Sequence, residues 1–135
     1  MARGNCILGG TFTYVHAGHL RLLAECRKFS RITIGLTSDA YVRRHKLYPS
    51  FPYAWRLSGL RRALSRLGML RRCTIMPIDT ETDGAVDAKA DAIVVSPETE
   101  AAARKINALR RRRNLAPLKI ISVPLAYAEI GRAHV

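Results

Sequence analysis

Apolar residues along the chain gather into short runs separated by segments of helical spacing. Cys6-Ile7-Leu8 is a strand-type run, and the Gly9-Gly10 pair after it lets the backbone turn sharply or approach a ligand closely. Leu20, Leu23 and Ala24 then stand three and four positions apart, which predicts a helix beginning near Ala17. Ile32, Ile34 and Leu36 alternate within 31–36 and predict a second strand, ending in Gly35-Leu36-Thr37-Ser38-Asp39. Residues 43–52 are polar and basic, include Pro49 and Pro52, and are expected to form a mobile loop. Leu57, Leu60, Leu64 and Leu67 mark the inner stripe of a second helix, with Arg61, Arg62 and Arg66 on its other faces and Gly68 ending it.

The second half repeats the alternation. Residues 73–78 form a third strand, and 79–91 an acidic connection without a period, either loop or short helix. A fourth strand over 91–95 is apolar enough to be buried on both faces. Ser96-Pro97-Glu98 predicts a helix start, with serine as cap, proline first and an acid in the first turn. Ala102, Ile106 and Leu109 are its expected inner stripe, Asn114 its left-handed end, and 118–123 the fifth strand. Such alternation implies an α/β fold: one Rossmann-like domain with a five-stranded parallel sheet, helices on both faces and right-handed crossovers.

Composition narrows the class. With 135 residues, 48% of them hydrophobic, the chain suits one globular domain with a real core. It has no run of 18 apolar residues, so no membrane span is expected, and its start lacks the apolar region of a signal peptide. Cys6, Cys26 and Cys73 are odd in number and scattered, which points to buried reduced thiols and a cytoplasmic setting. The formal net charge of +13 is carried largely by Arg61-Arg62, Arg71-Arg72 and Arg110 to Arg113. That charge suits solvated helix faces, steers a polyphosphate toward a basic cleft, and binds nucleic acid non-specifically at most. No aromatic is interleaved with the arginine clusters along the sequence, which weighs against a single-strand platform.

The chemistry-bearing stretch is 6–19. A helix starting near Ala17 exposes unpaired N–H groups and partial positive charge, suited to phosphate. His16 and His19 are three apart and can face one site, with Gly18 between them adding no bulk. The chain has neither Gly-x-Gly-x-x-Gly nor a Gly-Lys-Ser/Thr loop, which excludes the dinucleotide fingerprint and the Walker A motif. No Glu stands between the histidines and no Cys pair has ligand spacing, so no protein-held metal is expected.

Gly9-Gly10-Thr11-Phe12 followed by His16-x-Gly18-His19 resembles the nucleotidyltransferase superfamily marked by a HxGH signature. Gly35-Leu36-Thr37-Ser38-Asp39, and Val94-Val95-Ser96-Pro97-Glu98-Thr99 with Ile106-Asn107 and Arg110, are similar to the archaeal and eukaryotic phosphopantetheine adenylyltransferases. The resemblance runs over about 5–129. It implies transfer of an adenylyl group from ATP, with Mg2+, to 4'-phosphopantetheine, giving dephospho-coenzyme A and pyrophosphate. It also implies that His19 stabilises the α-phosphate, that His16 holds the outer phosphates, and that Thr11, catalytic with His19 and binding ATP near the same α-phosphate, orients the acceptor phosphate. Gly10, Phe12 and Gly18 belong to the same ATP-binding corner, although Phe12 equally suits a core aromatic. Either Arg43 or Lys46 corresponds to a loop cation that reaches the acceptor phosphate. Ser96, Glu98 and Thr99 fall where ATP is contacted, although Ser96 equally suits a helix cap. Arg56 follows Pro52-Tyr53 as in the family's Pro-Tyr-x-x-Arg pattern, where its role suits structure.

Two departures stand out. Thr13 occupies a position where the family usually has Asp, whose carboxylate would brace the turn. After Glu129 the family continues into a Ser-Ser-Thr-Arg-type segment that grips phosphate, whereas this chain reads Ile-Gly-Arg-Ala-His-Val. Residues 129–135 resemble the translation of a sequencing-library adapter, so 130–135 are expected to be an artefactual tail on a truncated domain. Two competing readings remain: nucleotidyl transfer to a flavin, nicotinamide or polyol phosphate, and a non-catalytic nucleotide- or RNA-binding module.

Overall fold

A computed structural model describes residues 4–45, 47 and 50–124. Lys46 and residues 125–135, including the expected tail, lie outside the described residues. Strands β1 (Asn5–Gly10), β2 (Arg31–Thr37), β3 (Cys73–Ile78), β4 (Ala92–Val95) and β5 (Lys119–Ser122) form one sheet in the order β3-β2-β1-β4-β5. Every pairing is parallel, with Cys6 opposite Ile32 on one side and Ala92 on the other. The order reverses between β1 and β4, so a crevice opens where their carboxyl ends part, the usual ligand position in such sheets. Pro77 sits in β3, an edge strand, where a missing backbone donor is tolerated.

Alternation along the strands divides the core. Cys6, Leu8, Ile32, Ile34, Leu36, Ala92 and Val94 point to one face. There they meet Leu22 and Leu23 of α1 (Ala17–Glu25) and Leu60 and Leu64 of α3 (Tyr53–Arg66). Ile7, Ile93 and Val95 point to the other face, where they meet Ala103 and Ile106 of α4 (Glu100–Arg112). Helices therefore cover both faces, as expected, and all four β4 residues are buried. Cys6 and Cys26 are buried, Cys73 is half-buried, and none of the three is in a disulfide. Among the described residues no helix is long and apolar enough to cross a membrane.

Several local expectations are corrected. Gly9 and Gly10 do not turn; both continue the β1 ladder opposite Gly35 and Leu36. The chain bends at Phe12, whose φ of 47° is left-handed. Gly10 has a different reason to be glycine: a Cβ there would lie 2.8 Å from the Phe12 ring. Arg43 is not in a loop, because Asp39–His45 forms a short helix, α2, with Arg43 exposed in its last turn. In α1 the buried residues are Gly18, Leu22 and Leu23, while Leu20 and Ala24 face outward. Ser96 is not a helix cap: residues 96–99 form a turn closed by Thr99 N–H on the Ser96 carbonyl, and α4 starts only at Glu100.

The inner face of α4 is Ala103, Ile106, Asn107 and Arg110, so half of it is polar, and Ala102 and Leu109 are only half-buried. Asn107 donates to the Leu118 carbonyl at 2.9 Å and accepts from the Leu118 N–H at 2.7 Å, docking the start of β5. Arg110 reaches the carbonyls of Ala85, Val86 and Ala88 and that of Ala116. The 79–91 connection has turns and no helix, and those carbonyls take from a guanidinium the donors that a helix would have supplied. Gly68, at φ 71°, ends α3: its N–H bonds Ser65 and that of Met69 bonds Leu64, with Met69 and Leu64 both buried.

Candidate active site

The site forms at the carboxyl ends of β1, β2 and β4. The chain leaves β1 through Thr11, bends at Phe12 and enters α1 behind His16, the helix cap. The Phe12 ring is 4% exposed and packs 4.8 Å from the His19 ring, so it is a core aromatic that also supports a site residue. A bulky side chain held at positive φ costs on the order of 1–3 kcal/mol and persists only where its surroundings fix it. Here the buried ring does so.

The two histidines are interlocked. His16 Nδ1 accepts the Gly18 N–H at 3.1 Å, and His19 Nδ1 accepts the His16 N–H at 3.3 Å. Each ring therefore satisfies an early helix donor, a reciprocal cap made from imidazoles instead of hydroxyl and carboxylate. An accepting Nδ1 leaves the ring proton on Nε2, so in the neutral form both rings carry Nε2–H. The rings stack with centroids 3.9 Å apart. Burial, and then the charge of His16, lower the pKa of His19 to about 4, against a weaker opposing effect of the Tyr14 backbone. His19 is thus neutral at physiological pH, a hydrogen-bond donor through Nε2–H that carries no charge.

Next to this corner lies a cleft of about 370 Å³ lined by Gly10, Thr11, Thr37, Tyr41, Leu47, Glu81, Glu98 and Thr99 among others. Of the residues singled out in the sequence, Gly10, Thr11, Glu98 and Thr99 share this cleft. His16 and His19 adjoin it through Thr11 and Phe12 and do not line it. Ser96 is buried, and its N–H bonds Thr99 Oγ1 at 3.1 Å, so the two residues brace the turn after β4. Arg43 does not line the cleft. Thr13 Oγ1 lies 3.3 Å from Ser50 Oγ, a hydroxyl pair tying the first loop to the segment before α3.

Arg56 holds these loops together. Its residue is 1% exposed, and its guanidinium donates to Phe51 O at 2.7 Å, Thr11 O at 3.0 Å, Thr37 Oγ1 at 3.3 Å and Asp39 Oδ1 at 3.1 Å. Asp39 also accepts the Tyr53 N–H at 2.9 Å, which gives α3 the start its proline cap lacks. The guanidinium is therefore paired with Asp39 and bonded through all three of its nitrogens, as a buried charge requires. Sequence reasoning placed Arg56 in a motif without seeing this. Its partners lie 5, 17, 19 and 45 positions away, and only the Gly35-to-Asp39 strand end hinted that Thr37 and Asp39 belong here.

The description of the cytidylyltransferase-like family matches residues 7–133. The chain is 38% identical to phosphopantetheine adenylyltransferase of Methanopyrus kandleri, covering 93% of this chain and 82% of that protein. It is also 38% identical to the Pyrobaculum aerophilum protein of the same name, covering 88% and 78%. A bifunctional phosphopantetheine adenylyltransferase/NTP phosphatase of Thermoplasma volcanium is 42% identical over 91% of this chain, which spans 38% of that longer protein. Among solved structures, a protein of unknown function from Archaeoglobus fulgidus superposes with a TM-score of 0.80 at 33% identity, covering 88% of each chain.

Proposed function

The chain belongs to the cytidylyltransferase-like family, alongside archaeal phosphopantetheine adenylyltransferases, and from that we propose that it transfers the adenylyl group of ATP to 4'-phosphopantetheine. An acceptor phosphate oxygen attacks the α-phosphorus, the bond from that phosphorus to the bridging oxygen breaks, and pyrophosphate leaves with the electron pair. The acceptor is already an anionic nucleophile, so no base is needed. What the protein must supply is alignment of two anions and relief of the charge that builds on the phosphoryl oxygens.

The observation that carries this reading is the imidazole-capped start of α1 beside Thr11, at the place where strand order reverses. Neutral His19 donates to a non-bridging oxygen of the α-phosphate, where negative charge grows during transfer. His16 meets the outer phosphates, helped by the partial positive charge of the helix start. Thr11 donates to the acceptor phosphate in the cleft, which Glu98 and Thr99 also line. Arg43, or Lys46 from outside the described residues, supplies counter-charge to the acceptor. Among the described residues no group of three His, Cys, Asp or Glu side chains could hold a metal ion. Magnesium enters as part of the ATP substrate, bound through phosphate oxygens.

The test is an acceptor panel. Protein is incubated with magnesium, labelled ATP, and in turn 4'-phosphopantetheine, a flavin mononucleotide, nicotinamide mononucleotide and a polyol phosphate, and pyrophosphate release is followed. Turnover with 4'-phosphopantetheine alone is the expected result. Preference for another acceptor, or ATP binding without turnover on any of them, overturns the reading.

A further inference from the structure

Thr37, at the end of β2, lies between the buried guanidinium and Thr11. Arg56 Nη1 donates to Thr37 Oγ1 at 3.3 Å, and Thr37 Oγ1 donates to Thr11 Oγ1 at 2.9 Å. A guanidinium can only donate, so the contact fixes Thr37 as acceptor on that side. Its single hydroxyl hydrogen then goes to Thr11. Thr11 Oγ1 has in turn received a hydrogen bond, and its own hydrogen must leave in another direction. Among the described residues nothing accepts it, and Thr11 lines the cleft. The Thr11 carbonyl is held separately by the same Nη1 at 3.0 Å, which stops the residue from rotating as a whole.

We infer that Thr37 is a positioning residue: with Arg56 behind it, it sets the direction of the Thr11 hydroxyl so that this hydroxyl is a donor toward the cleft. The group it serves is a phosphate oxygen, an acceptor-only anion that a hydroxyl pointing the wrong way would repel. The inference rests on the proposed function, in which Thr11 meets the acceptor phosphate. The relay is one-directional because it starts at a cation that cannot lose its proton. A threonine pair alone could point either way and would spend part of its time with the Thr11 lone pairs facing the anion.

The experiment is two-substrate steady-state kinetics on Thr37→Val, Thr37→Ser, Thr11→Ala and the Thr11→Ala/Thr37→Val double variant, with 4'-phosphopantetheine as the varied acceptor. Thr37→Val keeps the shape and removes the hydroxyl. It is expected to raise the KM for 4'-phosphopantetheine about tenfold, the size of losing one hydrogen bond to a charged group, with the KM for ATP changed less than about twofold. Thr37→Ser restores the acceptor KM to within about threefold. In the Thr11→Ala background the Thr37→Val change adds less than about twofold, because the group it directs is gone. Thr37→Val also leaves one Arg56 N–H without its partner, so thermal unfolding is measured alongside. If that variant does not fold, Thr37→Ala removes the same hydroxyl without setting an apolar methyl against the guanidinium. Equal losses for both substrates, failure of serine to rescue, or additive losses in the double variant would overturn the inference. Absence of wild-type turnover with 4'-phosphopantetheine would instead sink the proposed function, so the two failures are distinct.

Discussion

His19 shows how one side chain can be tuned by its neighbours. Protonating it means placing charge in a half-buried ring stacked on His16, which is why its pKa falls to about 4. In the unfolded chain the ring regains its ordinary value near 6.5, so it takes up a proton earlier than the folded protein does as pH falls. Stability from this group is therefore complete above about pH 6.5 and is lost as pH drops toward about 4. His19→Ala should lose less thermal stability than wild type between pH 7 and pH 4, measured by melting in a series of buffers. The same substitution should lower turnover by about 10²–10³-fold, the usual loss when one donor to a developing anion is removed. The spacing of the two histidines was visible in the sequence, and so was the helix start that joins them. Their stacking, fixed tautomers and Phe12 support were not, because they depend on a left-handed residue that no propensity favours.

Among the elements, β1 and α4 depart most from expectation, for opposite reasons. In β1 the glycine pair suggested a bend, yet the ladder holds both glycines and the bend passes to Phe12. A Gly10→Ala substitution should push the Phe12 ring from beneath His19, destabilising the protein by about 1–3 kcal/mol as overpacking does, and lowering kcat/KM at the same time. Urea unfolding and kinetics on one preparation would check both. In α4 the apolar stripe read from periodicity missed two buried polar residues, because Asn107 and Arg110 answer to backbone groups far along the chain. Asn107→Ala should cost about 2–4 kcal/mol in urea unfolding, since it strands both the N–H and the carbonyl of buried Leu118. The strands and the helices α1, α3 and α4 were legible from alternation, while α2 and the start of α4 were not. The Ser-Pro-Glu signal there is used by a turn whose serine N–H bonds Thr99.

For the molecule as a whole, the net charge of +13 acts at long range. A tetraanionic nucleotide approaching such a surface is attracted before it makes contact, and salt weakens that attraction. Raising sodium chloride from 50 to 500 mM should therefore lower kcat/KM for ATP severalfold, mostly through KM, in initial-rate assays at fixed magnesium. The fold also rearranges what the sequence kept apart. Trp55, Gly59, Arg62 and Arg66 fall on one face of α3 and, with Tyr14, line a groove of about 420 Å³, so arginines and aromatics do meet in space. Trp55 is 62% exposed there.

The connection from β3 to β4 is fastened in part by the side chain of Arg110, which reaches three of its carbonyls from α4. A strap tied down at a point can be severed without being released. A protease nick beside exposed Lys89 should leave two fragments that stay together, because β4 is wedged between β1 and β5 and the guanidinium still grips the upstream end. The chain thus offers a natural place to divide the protein into separately expressed halves that find each other again.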